Sequence, residues 1–216
     1  FLFVVSLLII LFNILLRREV KSRTGALHKE INHNYYIADL SRKLLGDASI
    51  ERISRTVLEY LAELTGSYNG VAGYIGSEPA QEIIALYSYS LSSGLPEFKC
   101  LNLDYQKALE IKEMILKNTD AFFSNNPDLI FPEEALPAGH LKLQNVLCSP
   151  ILISNEIAGF LLMSNANREY DEEDLNIIEN FSSQYALAIQ RMRFERDLIK
   201  SEKKYRDIFD NVEDLL

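Results

Sequence analysis

Between Gln144 and Gln190 the hydrophobic period changes once, and that change narrows what the chain can fold into. Asn145-Val-Leu-Cys-Ser-Pro-Ile-Leu-Ile-Ser154 and Ile157-Ala-Gly-Phe-Leu-Leu-Met-Ser164 are apolar runs of strand length, separated by Asn155-Glu156. Residues of this kind favour a pleated, mostly buried surface, so the spacing predicts a hairpin of core strands. From Asp171-Glu-Glu-Asp174 onward the pattern is helical. Carboxylates stand where a helix N-terminus has unpaired N–H groups, and Ile178, Phe181, Tyr185, Ala188, Met192 and Ile199 recur three, four or seven apart. An apolar row on a long helix needs a partner. Ile178, Phe181, Tyr185, Ala188 and Met192 are therefore expected to form a dimer seam.

At the other end, Phe1 to Leu16 is apolar apart from Ser6 and Asn13. At about 1.5 Å per residue it covers roughly 24 Å of a bilayer core roughly 30 Å thick, so residues 1–16 read as a truncated transmembrane helix. Arg17, Arg18, Lys21 and Arg23 follow it, and no small-residue cleavage motif does, which disfavours a signal peptide. The positive-inside rule then places everything after Leu16 in the cytoplasm. Because the chain starts at Phe1 and stops inside a pattern at Leu216, it is expected to be a piece of a longer protein.

Residues 17–46 read as a juxtamembrane linker helix, weakened at Gly25, and Ser49 as the cap of a second helix, Ile50 to Leu64, closed by Thr65-Gly66. Gly70–Ile75 and Ile83–Tyr89 are strand candidates around the turn-rich Gly76-Ser-Glu-Pro79. Tyr105 to Asn118 fits a helix and Asp120 to Ser124 a short strand. Asn125 to Lys142, with three prolines, is a long loop and the best lid candidate.

The chemistry is mostly exclusion. No P-loop, Gly-x-Ser-x-Gly, His-Glu-x-x-His or Cys-x-x-Cys is present, so no catalytic residue and no metal site is expected. A net charge of −9 with no basic stripe in the globular part argues against nucleic acid as a partner. Cys100 and Cys148 lack metal-ligand spacing and read as reduced, structural thiols. His28 sits beside acidic residues on a helix, but its place just after the apolar run disfavours a phospho-acceptor role. His140 lies in the lid candidate and is read first as a structural hydrogen-bonding residue.

The run from Val146 to Ala166, with Tyr170-Asp-Glu-Glu-Asp-Leu175 and Ala186-Leu-Ala-Ile189, resembles the C-terminal half of a GAF domain, a sensory module of bacterial signalling proteins. The resemblance covers about Leu45 to Arg193. It implies an α+β fold: an antiparallel sheet flanked by helices, with an N-terminal transmembrane or linker helix and a long C-terminal signalling helix. Residues 47–193 would be the sensor domain and 194–200 an extension of its last helix. Residues 201–216, with Tyr205-Arg206 and Ile208-Phe209, resemble the opening helix of a PAS domain.

The resemblance further implies a bacterial sensor histidine kinase in the inner membrane, working as a homodimer and passing phosphate to a response regulator. This stretch would need no cofactor, and ATP would serve the kinase region beyond Leu216. A cyclic-dinucleotide synthase or hydrolase as the effector, or a GAF unit serving only as a dimerisation spacer, are the alternatives. A small ligand would be met by Tyr74, Tyr87, Phe122, Phe123 and His140, clustered on one side of the sheet under the loop.

Cyclic-nucleotide-responsive relatives carry a signature ion pair between a Lys and an Asp. Asn165, Tyr170 and Asp174 match it loosely, but Ala166 stands for the Lys and Leu175 for the Glu. The pair is therefore expected to be absent and cyclic-nucleotide sensing unsupported. With no His beside either cysteine, covalent bilin attachment is not expected either.

Overall fold

A computed structural model describes residues 2–46, 49–75, 83–92, 94–101, 120–129 and 142–213. Helix α1 (Leu2–Leu45) leads into α2 (Ile50–Thr65), then strands β1 (Ser67–Ile75), β2 (Ile83–Ser92), β3 (Leu95–Leu101), β4 (Phe122–Ser124), β5 (Val146–Ile153) and β6 (Glu156–Ala166), and finally helix α3 (Glu172–Glu213). The six strands form one sheet in the order β3-β2-β1-β6-β5-β4, and every described pair is antiparallel. The expected α+β architecture is what the chain adopts.

The hairpin expected around Asn155 is β5–β6. Ser154 and Asn155 both take positive φ, 53° and 67°, as the mirror-image turns that match strand twist require. Helix α2 starts where Ser49 Oγ accepts from Arg52 N at 3.3 Å and ends where Gly66, at φ 70°, donates to the carbonyl of Ala62. Asp171 Oδ1 accepts from the amides of Glu173 and Asp174, which fixes the start of α3. Strand β3 has no counterpart among the expected strands. It is one of the sheet's two edge strands, with Pro96 and the charges Glu97 and Lys99 in place of a hydrophobic run.

Helix α1 is continuous, so Gly25 does not end it, and α3 runs through Ser201 without a break. Among the described residues no helix is long and apolar enough to cross a membrane. The helix expected at Tyr105–Asn118, the Gly76–Pro79 turn and most of the lid candidate, with His140, lie outside the described residues.

Register assigns the sheet's two faces, because residues directly opposite one another share a side. Ala72, Tyr74, Tyr87, Tyr89, Leu147, Ile151, Leu161 and Met163 face the helices and join Val57, Leu58 and Leu61 of α2 and Ile178, Phe181, Tyr185 and Ile189 of α3 in one buried cluster. Glycines at two registers set how closely these layers approach. A Cβ on Gly70 would lie 2.7 Å from the sulfur of Met163 and 3.1 Å from Leu58. On the other face, one on Gly73 would lie 2.1 Å from the Phe160 ring, and Ile75, Leu86, Val146, Cys148 and Phe160 are also buried there.

Candidate functional site

The expected aromatic cluster is divided by the sheet. Tyr74 and Tyr87 lie diagonal to each other on β1 and β2, on the helix side, and both are buried in the core there. Tyr87 stacks on Phe98 at 5.8 Å, and burial raises its phenol pKa. The Arg193 guanidinium sits 5.9 Å from the Tyr74 ring and donates from Nη2 to the Ile75 carbonyl at 3.0 Å. Phe123 shares that face but stands on β4, with β6 and β5 between it and β1. Phe122, its neighbour in sequence, points to the opposite face. The four described members of the set therefore line no common cavity, because adjacent strand residues alternate sides and β1 and β4 are not neighbours in the sheet.

The seam expected on α3 also has a different partner. Ile178, Phe181 and Tyr185 are fully buried and Ala188 nearly so, against α2 and the sheet of the same chain. Met192 is partly buried against that cluster. These five are the helix's inward face, and their apolar surface is already used within one protomer. Among the described residues, the exposed large apolar side chains of α3 lie elsewhere: Leu187, Phe194, Leu198, Ile199 and Tyr205. Leu187, Phe194, Leu198 and Tyr205 follow one another at intervals of seven, four and seven, which is heptad spacing.

Around this helix the domain ties its two long rods together. Ser54 Oγ and Tyr185 Oη meet at 2.5 Å inside the α2–α3 contact, and burial raises the tyrosine's pKa. Between α1 and α3, Ser41 Oγ donates to Gln184 Oε1 at 3.1 Å, and His33 stacks on Phe181 with ring centroids 6.2 Å apart. Arg191 Nη1 donates to the Leu44 carbonyl at 2.7 Å and also to that of Gly46, so a cation from α3 closes the C-terminal end of α1. From α1 to α2, Tyr60 Oη donates to Asp39 Oδ2 at 2.5 Å while Lys43 Nζ donates to Tyr60 Oη at 2.9 Å. Hydrogen bonds from Lys43 and Tyr60 hold the Asp39 carboxyl below its usual pKa. Position 166 offers no cation, but Asp174 is ion-paired from another position. Arg168, two residues beyond Ala166, makes a bidentate pair with Asp174 at 2.6 Å to each oxygen.

A cavity of about 440 Å3 lies elsewhere, between β4, β5 and α3. It is lined by Asp120, Ala121, Ser149, Pro150, Leu152, Glu179, Asn180, Ser182 and Ser183, and by none of the aromatic residues expected to bind a ligand. Cys100 is exposed and Cys148 buried, both unpaired, and burial pushes the Cys148 thiol up to about 12. Among the described residues no group of three His, Cys, Asp or Glu side chains is placed to hold a metal ion.

The model of the GAF domain family matches residues 47–190. Solved structures agree in fold. One is the GAF domain of a phosphoenolpyruvate-protein phosphotransferase from Coxiella burnetii, 15% identical with a TM-score of 0.57, covering 77% of this chain and 98% of that one. Another is the phycocyanobilin-bound GAF domain of a cyanobacterial phytochrome, 16% identical with a TM-score of 0.56, covering 76% and 96%. A third is a segment of a methyl-accepting chemotaxis protein, 18% identical with a TM-score of 0.52, covering 72% and 97%. A search of the curated proteins found no match. With the family model spanning most of the chain and the sheet and helices in the matching arrangement, the chain belongs to the GAF domain family.

Proposed function

We propose that this chain is the signal-relaying region of a membrane-anchored bacterial sensor histidine kinase, in which the GAF domain couples the helix that enters it to the helix that leaves it. The observation that carries the reading is the junction at Arg191. One guanidinium holds the last carbonyls of α1, while Ser41–Gln184 and His33–Phe181 fasten the same two helices further along. Displacement of α1 is therefore delivered to α3 rather than absorbed in a loop. Both helices carry exposed apolar residues, Val20, Leu27 and Ile31 on one and Phe194, Leu198 and Tyr205 on the other.

In this reading residues 1–16 belong to an inner-membrane anchor, and the chain beyond Leu16 is cytoplasmic, as the basic cluster favours. Two copies pair through the outward row Leu187, Phe194, Leu198 and Tyr205, and the row leads into the PAS-like segment from Ser201. A kinase beyond Leu216 uses ATP and hands phosphate to a response regulator. The test is phosphorylation of the natural full-length protein with labelled ATP. Acid-labile phosphate on a histidine supports the kinase, and substituting Arg191→Ala should change its rate. Conversion of GTP to a cyclic dinucleotide, with no phosphohistidine, would replace the kinase by another effector.

A further inference from the structure

The cavity between β4, β5 and α3 has an unusual floor. Ser182 is 5% exposed, and its Oγ has no hydrogen-bond partner. Helical hydroxyls commonly return to the carbonyl four residues back, and Ser41, Ser54, Thr65 and Ser183 of this chain all do so. Ser182 instead leaves a buried polar atom unmatched at the cavity, which costs free energy unless something else pairs with it. Beside it Ser149, 3% exposed, makes only a long 3.3 Å bond to the neighbouring Pro150 carbonyl. The carboxylates of Asp120 and Glu179 belong to the lining, which among the described residues contains no Lys, Arg or His.

We propose that this cavity binds a small protonated amine, whose N–H groups are accepted by Ser182 Oγ and Ser149 Oγ and whose charge is balanced by Glu179 and Asp120. An ammonium brings three donors and no acceptor, which suits two hydroxyl oxygens and a carboxylate. An anion such as a nucleotide or phosphate would meet two carboxylates and, among the described lining residues, no cation to offset them. The site lies along the flank of α3 beside β5, with Glu179, Asn180 and Ser183 exposed and Ser182 buried, so an occupant bridges that helix and β5. This inference needs neither the dimer nor the kinase, and goes beyond both.

Isothermal titration of the purified full chain with putrescine and with ethanolamine, at physiological salt, tests it. Saturable one-to-one binding is expected. Glu179→Gln, an exposed position, should weaken it about tenfold while leaving the circular dichroism spectrum unchanged, and Ser182→Ala should weaken it about fivefold. Glu202→Gln, far along α3, should have no effect, which separates the site from general attraction to an acidic protein. No saturable heat with either amine, an equal loss for Glu202→Gln, unchanged affinity in Ser182→Ala, or tighter binding of inorganic phosphate would each overturn the proposal.

Discussion

Arg168 and Asp174 face each other across the corner between β6 and α3, with both guanidinium Nη atoms 2.6 Å from a carboxylate oxygen. The Asp174 side chain is fully buried, whereas a third of Arg168 reaches solvent. The pairing raises the Arg168 pKa, chiefly through the hydrogen bonds to Asp174. Asp174 Oδ2 also accepts from the Asp171 amide, so the same carboxylate helps to set the first turn of α3.

Removing the arginine leaves a buried carboxylate without its counter-charge. Arg168→Ala should cost about 3 kcal/mol, and Arg168→Lys less, although the lysine cannot reproduce the bidentate fork. Pairing Arg168→Met with Asp174→Leu should recover much of the loss. Urea denaturation of the three variants checks this; an Arg168→Ala protein as stable as the parent would mean the pair contributes nothing.

On the inward face of α3, Phe181→Ala should destabilise the domain by about 3–5 kcal/mol, independently of protein concentration, because the cavity forms inside one protomer. Ile178→Glu should prevent folding altogether. Sedimentation showing a folded monomer for either variant would return these residues to a dimer interface.

His33 gives the fold a pH dependence. Its Nε2 is buried without a partner and its pKa lies below 6.5, lowered by burial and only partly opposed by Glu173. The unfolded chain takes up the proton more readily, so stability is full above pH 6.5 and is lost as pH falls from there towards the folded pKa. Asp39, whose pKa is lowered from 3.8, acts in a separate and more acidic window, losing its contribution as pH falls below that value. Thermal melts of the parent and of His33→Phe between pH 7 and 5 check the assignment. The variant should stay flatter where the parent declines, and parallel curves would remove His33 as the cause.

The hairpin, the capped α2 and the start of α3 are legible in the sequence because each has a local cause: a two-residue break, expected at Asn155-Glu156 and found one residue earlier at Ser154-Asn155; Ser49 and Gly66 at the ends of α2; and Asp171 before α3. Partnership is not local. A row at Ile178, Phe181, Tyr185 and Ala188 announces that something apolar covers it, but the spacing is the same whether a sheet or a second helix does so. The adjacent Phe122 and Phe123 belong to one expected cluster although a strand must send them to opposite faces. The partner of Asp174 is not legible, because the cation stands two residues beyond the position where the resemblance would place a lysine: Asn165, at φ 57°, turns the chain at the end of β6, and Arg168 comes round to Asp174. Strand β3 carries no hydrophobic alternation, since an edge needs little.

The most direct test of the relay is disulfide cross-linking in the full chain with Cys100 replaced by Ser. A cysteine at Leu198 should form a covalent dimer readily under mild oxidation, and a cysteine at Ile178 should not, because the first position is exposed and the second is enclosed by its own sheet and α2. Cross-linking through position 178, or none through 198, would contradict the pairing of two copies along the outer face of α3.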